Sequence, residues 1–260
     1  MQKRCIGIVR VAKTGIPPNL CMASKVNNPR IIIPLDFSSA DDALELLEKL
    51  DPGSCRVKIG KELFTRTGPQ FVNQVINLGF DVFLDLKYHD IPTTVARACA
   101  AAADMGVWMI NVHALGGKKM MKAARAAISE CHKQPLLIAV TVLTSLEASD
   151  LQDIGITKSV EEQVLILAGL ANQCGLDGVV CSAHEARAIR RVTDGEFILV
   201  TPGIRPQHSN RDDQERIMTP ADAIRSGSDY LVIGRPITQA ADPMEALHAI
   251  NEEITTVIGN

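Results

Sequence analysis

Apolar and polar positions alternate in two rhythms from Arg30 onward. Short β-branched runs at Ile31–Leu35, Cys55–Ile59, Asp81–Leu86, Met109–Val112, Leu136–Leu143, Gly178–Cys181, Phe197–Val200 and Tyr230–Ile233 predict strands. Between them lie longer stretches with helical spacing, as at Phe71, Val75 and Leu78. These predict helices over Asp41–Leu50, Glu62–Leu78, Thr94–Met105, Lys118–Cys131, Val160–Cys174, His184–Arg191, Pro220–Ser226 and Pro243–Val257. Eight strand–helix pairs within about 230 residues, with no linker between them, point to an α/β protein whose parallel sheet closes into a single-domain (β/α)8 TIM barrel. An open doubly wound sheet is the competing architecture. It is disfavoured because no G-x-G-x-x-G follows the first strand.

Composition narrows the class. Of 260 residues, 46% are hydrophobic and 22% charged, as in an ordinary globular protein. A net charge of −3 and only 3% aromatics argue against a nucleic-acid surface. The uncharged run Pro135–Thr144 is too short to span a membrane. The seven cysteines are scattered without a C-x-x-C pair, which suits free thiols in a reducing, cytoplasmic setting. Residues 1–29 differ from the rest: Lys3, Arg4, Arg10, Lys13 and Lys25 precede the first acid, Asp36. Arg10 and Lys13 interrupt any secretory apolar core, and scarce serine argues against a transit peptide. A poorly ordered extension, or a true start at Met22, is expected there, with the barrel occupying 30–260.

A barrel places its chemistry where strands end, and the polar residues collect at those ends. Asp36 follows the first strand, Lys58 lies at the end of the second, and Asp85 and Lys87 close the third. His113, Thr144, Arg205, Gly234 and Arg235 follow later strands. Charges embedded in apolar runs such as VKIGK and FLDLK are costly to bury unless paired with each other or with a ligand. On one strand Asp85 and Lys87 share a face because side chains alternate with a period of two. Asp85 and Asp90 then flank Lys87, with Lys58 on the neighbouring strand. Opposite charges about 4 Å apart attract by roughly 4 kcal/mol at an effective dielectric of 20, which favours the charged forms. An ammonium so held is a proton donor for developing negative charge. D-x-K alone fits a structural ion-pair ladder equally well, and the company of Lys58 and Asp36 turns the reading toward an active site.

Barrels commonly bind phosphate after strands seven and eight. Gly234 permits close backbone approach there, and Arg235 and Arg205 offer bidentate donors. The polar stretch between Pro206 and Met218 is long for a strand–helix loop. No H-x-H or H-E-x-x-H occurs among the six histidines, so they are taken as hydrogen-bonded structural residues, and no metal is expected.

These segments together resemble the orotidine 5'-phosphate decarboxylase family, in its bacterial form. The resemblance runs from about Arg30 to Ile250 and rests on PLD at 34–36, VKIGKELF at 57–64 and DLKYHDIPTT at 85–94. NVHALGG at 111–117, TVLTS at 141–145, LVTPGIRP at 199–206 and VIGRPIT at 232–238 complete it. It implies decarboxylation without a cofactor, with Lys87 protonating C6 of the pyrimidine and Asp85 against the substrate carboxylate. Lys58 and Asp36 would hold the ribose, and Thr144 would contact the pyrimidine amide. Arg205 and Gln214 would reach the phosphate from the long loop. The resemblance also implies a homodimer in which Asp90 and Thr94 serve the neighbouring site. Two other readings share the frame: a metal-dependent sugar-phosphate synthase or decarboxylase, and a barrel that binds nucleotides without catalysis.

Overall fold

The computed structural model describes residues 28–193, 195–206 and 218–258. Eight parallel strands run β1 (Ile31–Pro34), β2 (Arg56–Gly60), β3 (Val82–Tyr88), β4 (Met109–His113), β5 (Leu136–Val140), β6 (Gly178–Val180), β7 (Ile198–Pro202) and β8 (Tyr230–Val232). Each pairs with its neighbours in chain order, and β1 closes on β8 through Ile31↔Leu231 and Ile32↔Val232. The open-sheet alternative is thereby excluded.

The helices are α1 (Ala40–Leu47), α2 (Lys61–Asn77), α3 (Pro92–Asp104), α4 (Gly117–Ser129), α5 (Ala148–Asp153), α6 (Val160–Gln173), α7 (Ala183–Arg190), α8 (Pro220–Arg225), α9 (Arg235–Thr238) and α10 (Pro243–Ile258). Three departures from the sequence reading have local causes. The helix expected over Glu62–Leu78 is broken at Gly68, where φ is 67°. Pro69 follows, lacking an N–H and clashing with the preceding turn. The fifth strand stops at Val140 rather than Leu143, because both of its partners end opposite that residue, β4 at His113 and β6 at Val180. Helix α5 was not anticipated; it is one and a half turns long and is held by a capping box between Glu147 and Asp150.

Strand alternation sorts the core into two layers. Ile31, Ile33, Val57, Ile59, Val82, Leu84, Ile110 and Val112 face outward and pack under the helices. Ile32, Phe83, Met109, Ile138 and Val200 form a separate cluster that fills the barrel interior. At its N-terminal end the interior is closed by Arg56, whose guanidinium lies 4.2 Å from the Trp108 ring centroid and 5.2 Å from that of Tyr230. The same side chain bonds Asp81 at 3.2 Å, Asn28 at 3.1 Å and the Pro29 carbonyl. The remainder of the expected extension, residues 1–27, lies outside the described residues.

Asp177 and Asp229 fix strand register from the outer layer. Each accepts a backbone N–H from the preceding strand, Leu137 at 2.6 Å and Leu199 at 2.8 Å. Each also pairs with a helical arginine, Arg125 and Arg190 respectively.

One irregularity bears on the opposite mouth. Between β3 and β4 the register passes from Leu84↔Ile110 to Tyr88↔Val112, so four steps on one strand meet two on the other. Lys87 sits in this bulge with φ 50°, the only positive φ outside glycine among the described residues.

Candidate active site

The inward face continues from the barrel interior to the C-terminal mouth, where the next inward positions on β2, β3 and β4 are charged or amide side chains. Phe83 is followed by Asp85, Arg56 by Lys58, and Met109 by Asn111. A cavity of about 360 Å³ opens at this mouth. Pro34, Asp36, Lys58, Asp85, Lys87, Thr144, Gly203 and Gly234 line it, over a floor that includes Phe83, Val140, Val180, Val200 and Val232.

The charges form a linear alternation. Lys58 Nζ lies 3.3 Å from Asp36 Oδ1 and 3.3 Å from Asp85 Oδ2, while Lys87 Nζ lies 2.7 Å from Asp85 Oδ1. Asn111 Nδ2 donates to the same Asp85 Oδ1 at 2.7 Å. The Asp85 side chain is 11% exposed and that of Asp36 is 69% exposed, so the array runs from solvent into the barrel. Burial pushes the Asp85 carboxyl up, but the Lys58 and Lys87 ammoniums, with hydrogen bonds from Lys87 and Asn111, outweigh it and hold the group below its ordinary value.

The sequence placed Lys87 between Asp85 and Asp90; within one chain the structure places Asp85 between Lys58 and Lys87. Asp90 lies outside this array, exposed on the turn before α3, and accepts the N–H of Ile91 at 2.6 Å. Thr94 is exposed on α3. Neither lines the cavity of its own chain. Arg235 is exposed at the start of α9, beside the cavity-lining Gly234. Arg205 follows β7, and its N–H bonds the Met218 carbonyl at 3.2 Å. Gln214 lies outside the described residues.

Two residues were undervalued in the sequence. Asn111 is fully buried, and its signal was an amide inside the apolar run Met109–Val112. His113 was taken as a hydrogen-bonded structural residue, and the structure corrects this: among the described residues its buried Nδ1 has no hydrogen-bond partner. Its ring stacks on His89 with centroids 5.4 Å apart. Burial, then the neighbouring His89, Lys61 and Lys87, holds its pKa below the ordinary value. Among the described residues no three His, Cys, Asp or Glu side chains are grouped to hold a metal ion.

Comparison with known proteins places this geometry. Residues 29–250 match the family described as "Orotidine 5'-phosphate decarboxylase / HUMPS family". The orotidine 5'-phosphate decarboxylase of Chromobacterium violaceum is 57% identical over 236 residues, covering 91% of this chain and 95% of that protein. That of Tolumonas auensis is 59% identical, covering 87% and 98%. A crystal structure of orotidine 5'-phosphate decarboxylase from Lactobacillus acidophilus superposes with a TM-score of 0.79 at 38% identity, covering 87% of this chain and 99% of that one.

The electrostatics of Asp85 carry a testable consequence. Because its pKa is depressed in the folded state, the stability it contributes is full above the ordinary carboxyl value and is lost as pH falls through the lowered one. Lys58→Met removes the strongest opposing charge while leaving the burial, so the Asp85 carboxyl should titrate at higher pH. Carbon-detected NMR titration of that carboxyl checks this, and an unmoved midpoint would contradict the electrostatic account.

Proposed function

From the premise that the chain belongs to the orotidine 5'-phosphate decarboxylase / HUMPS family, we infer that it converts orotidine 5'-phosphate to uridine 5'-phosphate, completing pyrimidine nucleotide synthesis. The observation that carries the mechanism is Lys87 Nζ held 2.7 Å from Asp85 inside the cavity mouth.

When the bond from C6 to the carboxylate breaks, carbon dioxide departs and the electron pair stays on C6. No adjacent carbonyl is placed to delocalise that charge. A fixed ammonium aimed at the carbon stabilises it as it develops, without reorganising solvent. Lys87 then transfers a proton from Nζ to C6, and the neutral amine regains one from water. Asp85 faces the departing carboxylate, and its own charge is maintained by Lys58 from the other side. Asp36 and Lys58 bind the ribose, and Thr144 meets the pyrimidine edge. Arg235, Arg205 and Gln214, with the backbone at Gly234, hold the phosphate. Binding energy gathered there lowers the barrier at the distant reacting carbon.

The array also supports chemistry without a resident metal. Both oxygens of Asp85 already contact ammoniums, at 2.7 and 3.3 Å, so a divalent ion would compete with the two lysines for this carboxylate. Among the described residues no helix is long and apolar enough to cross a membrane. A reducing, cytoplasmic setting suits thiols such as Cys55 and Cys99, which burial pushes up to about 12.

The exposed positions of Asp90, Thr94 and the 66%-exposed Ile91 support a homodimer in which this edge completes the neighbouring cavity. Mixed Lys87→Ala and Asp90→Ala chains, each inactive alone, should then regain activity on subunit exchange. No recovery, with heterodimers shown to form, would mean self-contained sites.

Turnover itself is tested by following pyrimidine absorbance with orotidine 5'-phosphate, with and without a chelator. The expected result is decarboxylation at an unchanged rate. No turnover of the nucleotide, with metal-dependent turnover of an open-chain sugar phosphate, would favour the synthase reading instead.

A further inference from the structure

The bulge between β3 and β4 leaves a backbone problem that one side chain resolves. Where the ladder slips between Leu84 and Tyr88, Lys87 loses its place in the regular pairing. Its φ of 50° is a conformation that L-residues with long side chains rarely adopt. An inward N–H there needs a partner or costs free energy. Asn111 supplies it: its Oδ1 accepts the Lys87 N–H at 2.8 Å, taking the place of a strand carbonyl. The other end of the same amide donates Nδ2 to Asp85 Oδ1 at 2.7 Å. Asn111 is fully buried on β4 and cannot swing away to water.

We propose that Asn111 is the positioning residue of the catalytic pair, a single amide that fixes the Lys87 backbone in its left-handed turn and the Asp85 carboxylate beneath it. This rests on Lys87 as proton donor. A regular strand would keep Lys87 and Asp85 side by side, both perpendicular to the sheet. The left-handed turn instead lets the Lys87 side chain fold back so that Nζ meets Asp85 Oδ1. Asparagine is the side chain that meets both demands at this length, because an amide accepts at one atom and donates at the other. Aspartate accepts from Lys87 but cannot donate to Asp85. Serine can accept and donate but through a single, shorter-reaching oxygen, and leucine fills the volume but makes neither contact.

The chemistry of the residue therefore dictates an order among variants that a purely space-filling role does not. Single-turnover decarboxylation and uridine 5'-phosphate binding are measured for Asn111→Ser, Asn111→Leu and Asn111→Asp. A displaced reacting group costs about a hundredfold in rate. We expect kcat to fall about that far in Asn111→Leu and further in Asn111→Asp, with Asn111→Ser between Leu and the parent. Product affinity, which is set by ribose and phosphate contacts, should stay within about threefold. Parent-like kcat in Asn111→Asp or Asn111→Leu, or a loss of product binding that matches the loss of rate, would overturn the proposal. If Asn111→Leu or Asn111→Asp fails to fold, Asn111→Ser decides alone: an unchanged kcat overturns the proposal, and a reduced kcat with intact binding supports it. An inactive parent would instead contradict the decarboxylase reading, which keeps the two failures apart.

Discussion

Everything at the mouth of this barrel depends on keeping one carboxylate ionised where water barely reaches it. Asp85 is 11% exposed, and an isolated buried carboxylate would take up a proton rather than stay charged. It remains an anion because Lys58 and Lys87 approach its two oxygens and Asn111 donates to one of them. The cluster is more constrained than an exposed ion pair, where mobile side chains and solvent leave little net attraction. Removing any one partner leaves the others buried with incomplete compensation. A ligand that enters the cavity therefore meets charges already fixed in place.

The scaffold is built to present that cluster. On β3 and β4 the inward positions are apolar in the barrel interior and change to a charged or amide residue one step later, Phe83 to Asp85 and Met109 to Asn111. The interior packing of Ile32, Phe83, Met109, Ile138 and Val200 forms a firm floor. Arg56 seals the other end against Trp108 and Tyr230. Among the described residues the one register shift in the sheet, the bulge at Lys87, coincides with the reacting group. Strain held by surrounding structure at the chemical centre is a common arrangement in enzymes.

Much of this was legible in the chain itself. Short β-branched runs marked the strands, and lysine and aspartate embedded in such runs marked the mouth of the barrel. The limits were equally physical. Period-two reasoning placed Lys87 in a regular strand, yet a register slip depends on how β4 meets β3, which no single segment encodes. The same limit hid that, within one chain, Asp85 stands between Lys58 and Lys87. Asp90 is close to Lys87 in sequence but separated by the turn into α3, whereas Lys58 comes from another strand. Asn111 did not stand out in the sequence because its two partners, 24 and 26 positions earlier, become neighbours only when the sheet forms. Pro69 announced a break in α2 that the apolar spacing across it concealed.

The central claim is that a pinned ammonium at Lys87 stabilises and then protonates the carbon left by departing carbon dioxide. Single-turnover decarboxylation by Lys87→Met, set beside its affinity for uridine 5'-phosphate, tests this most directly. The account predicts a rate lower by about ten-thousandfold with product affinity nearly unchanged. A rate within tenfold of the parent would contradict it.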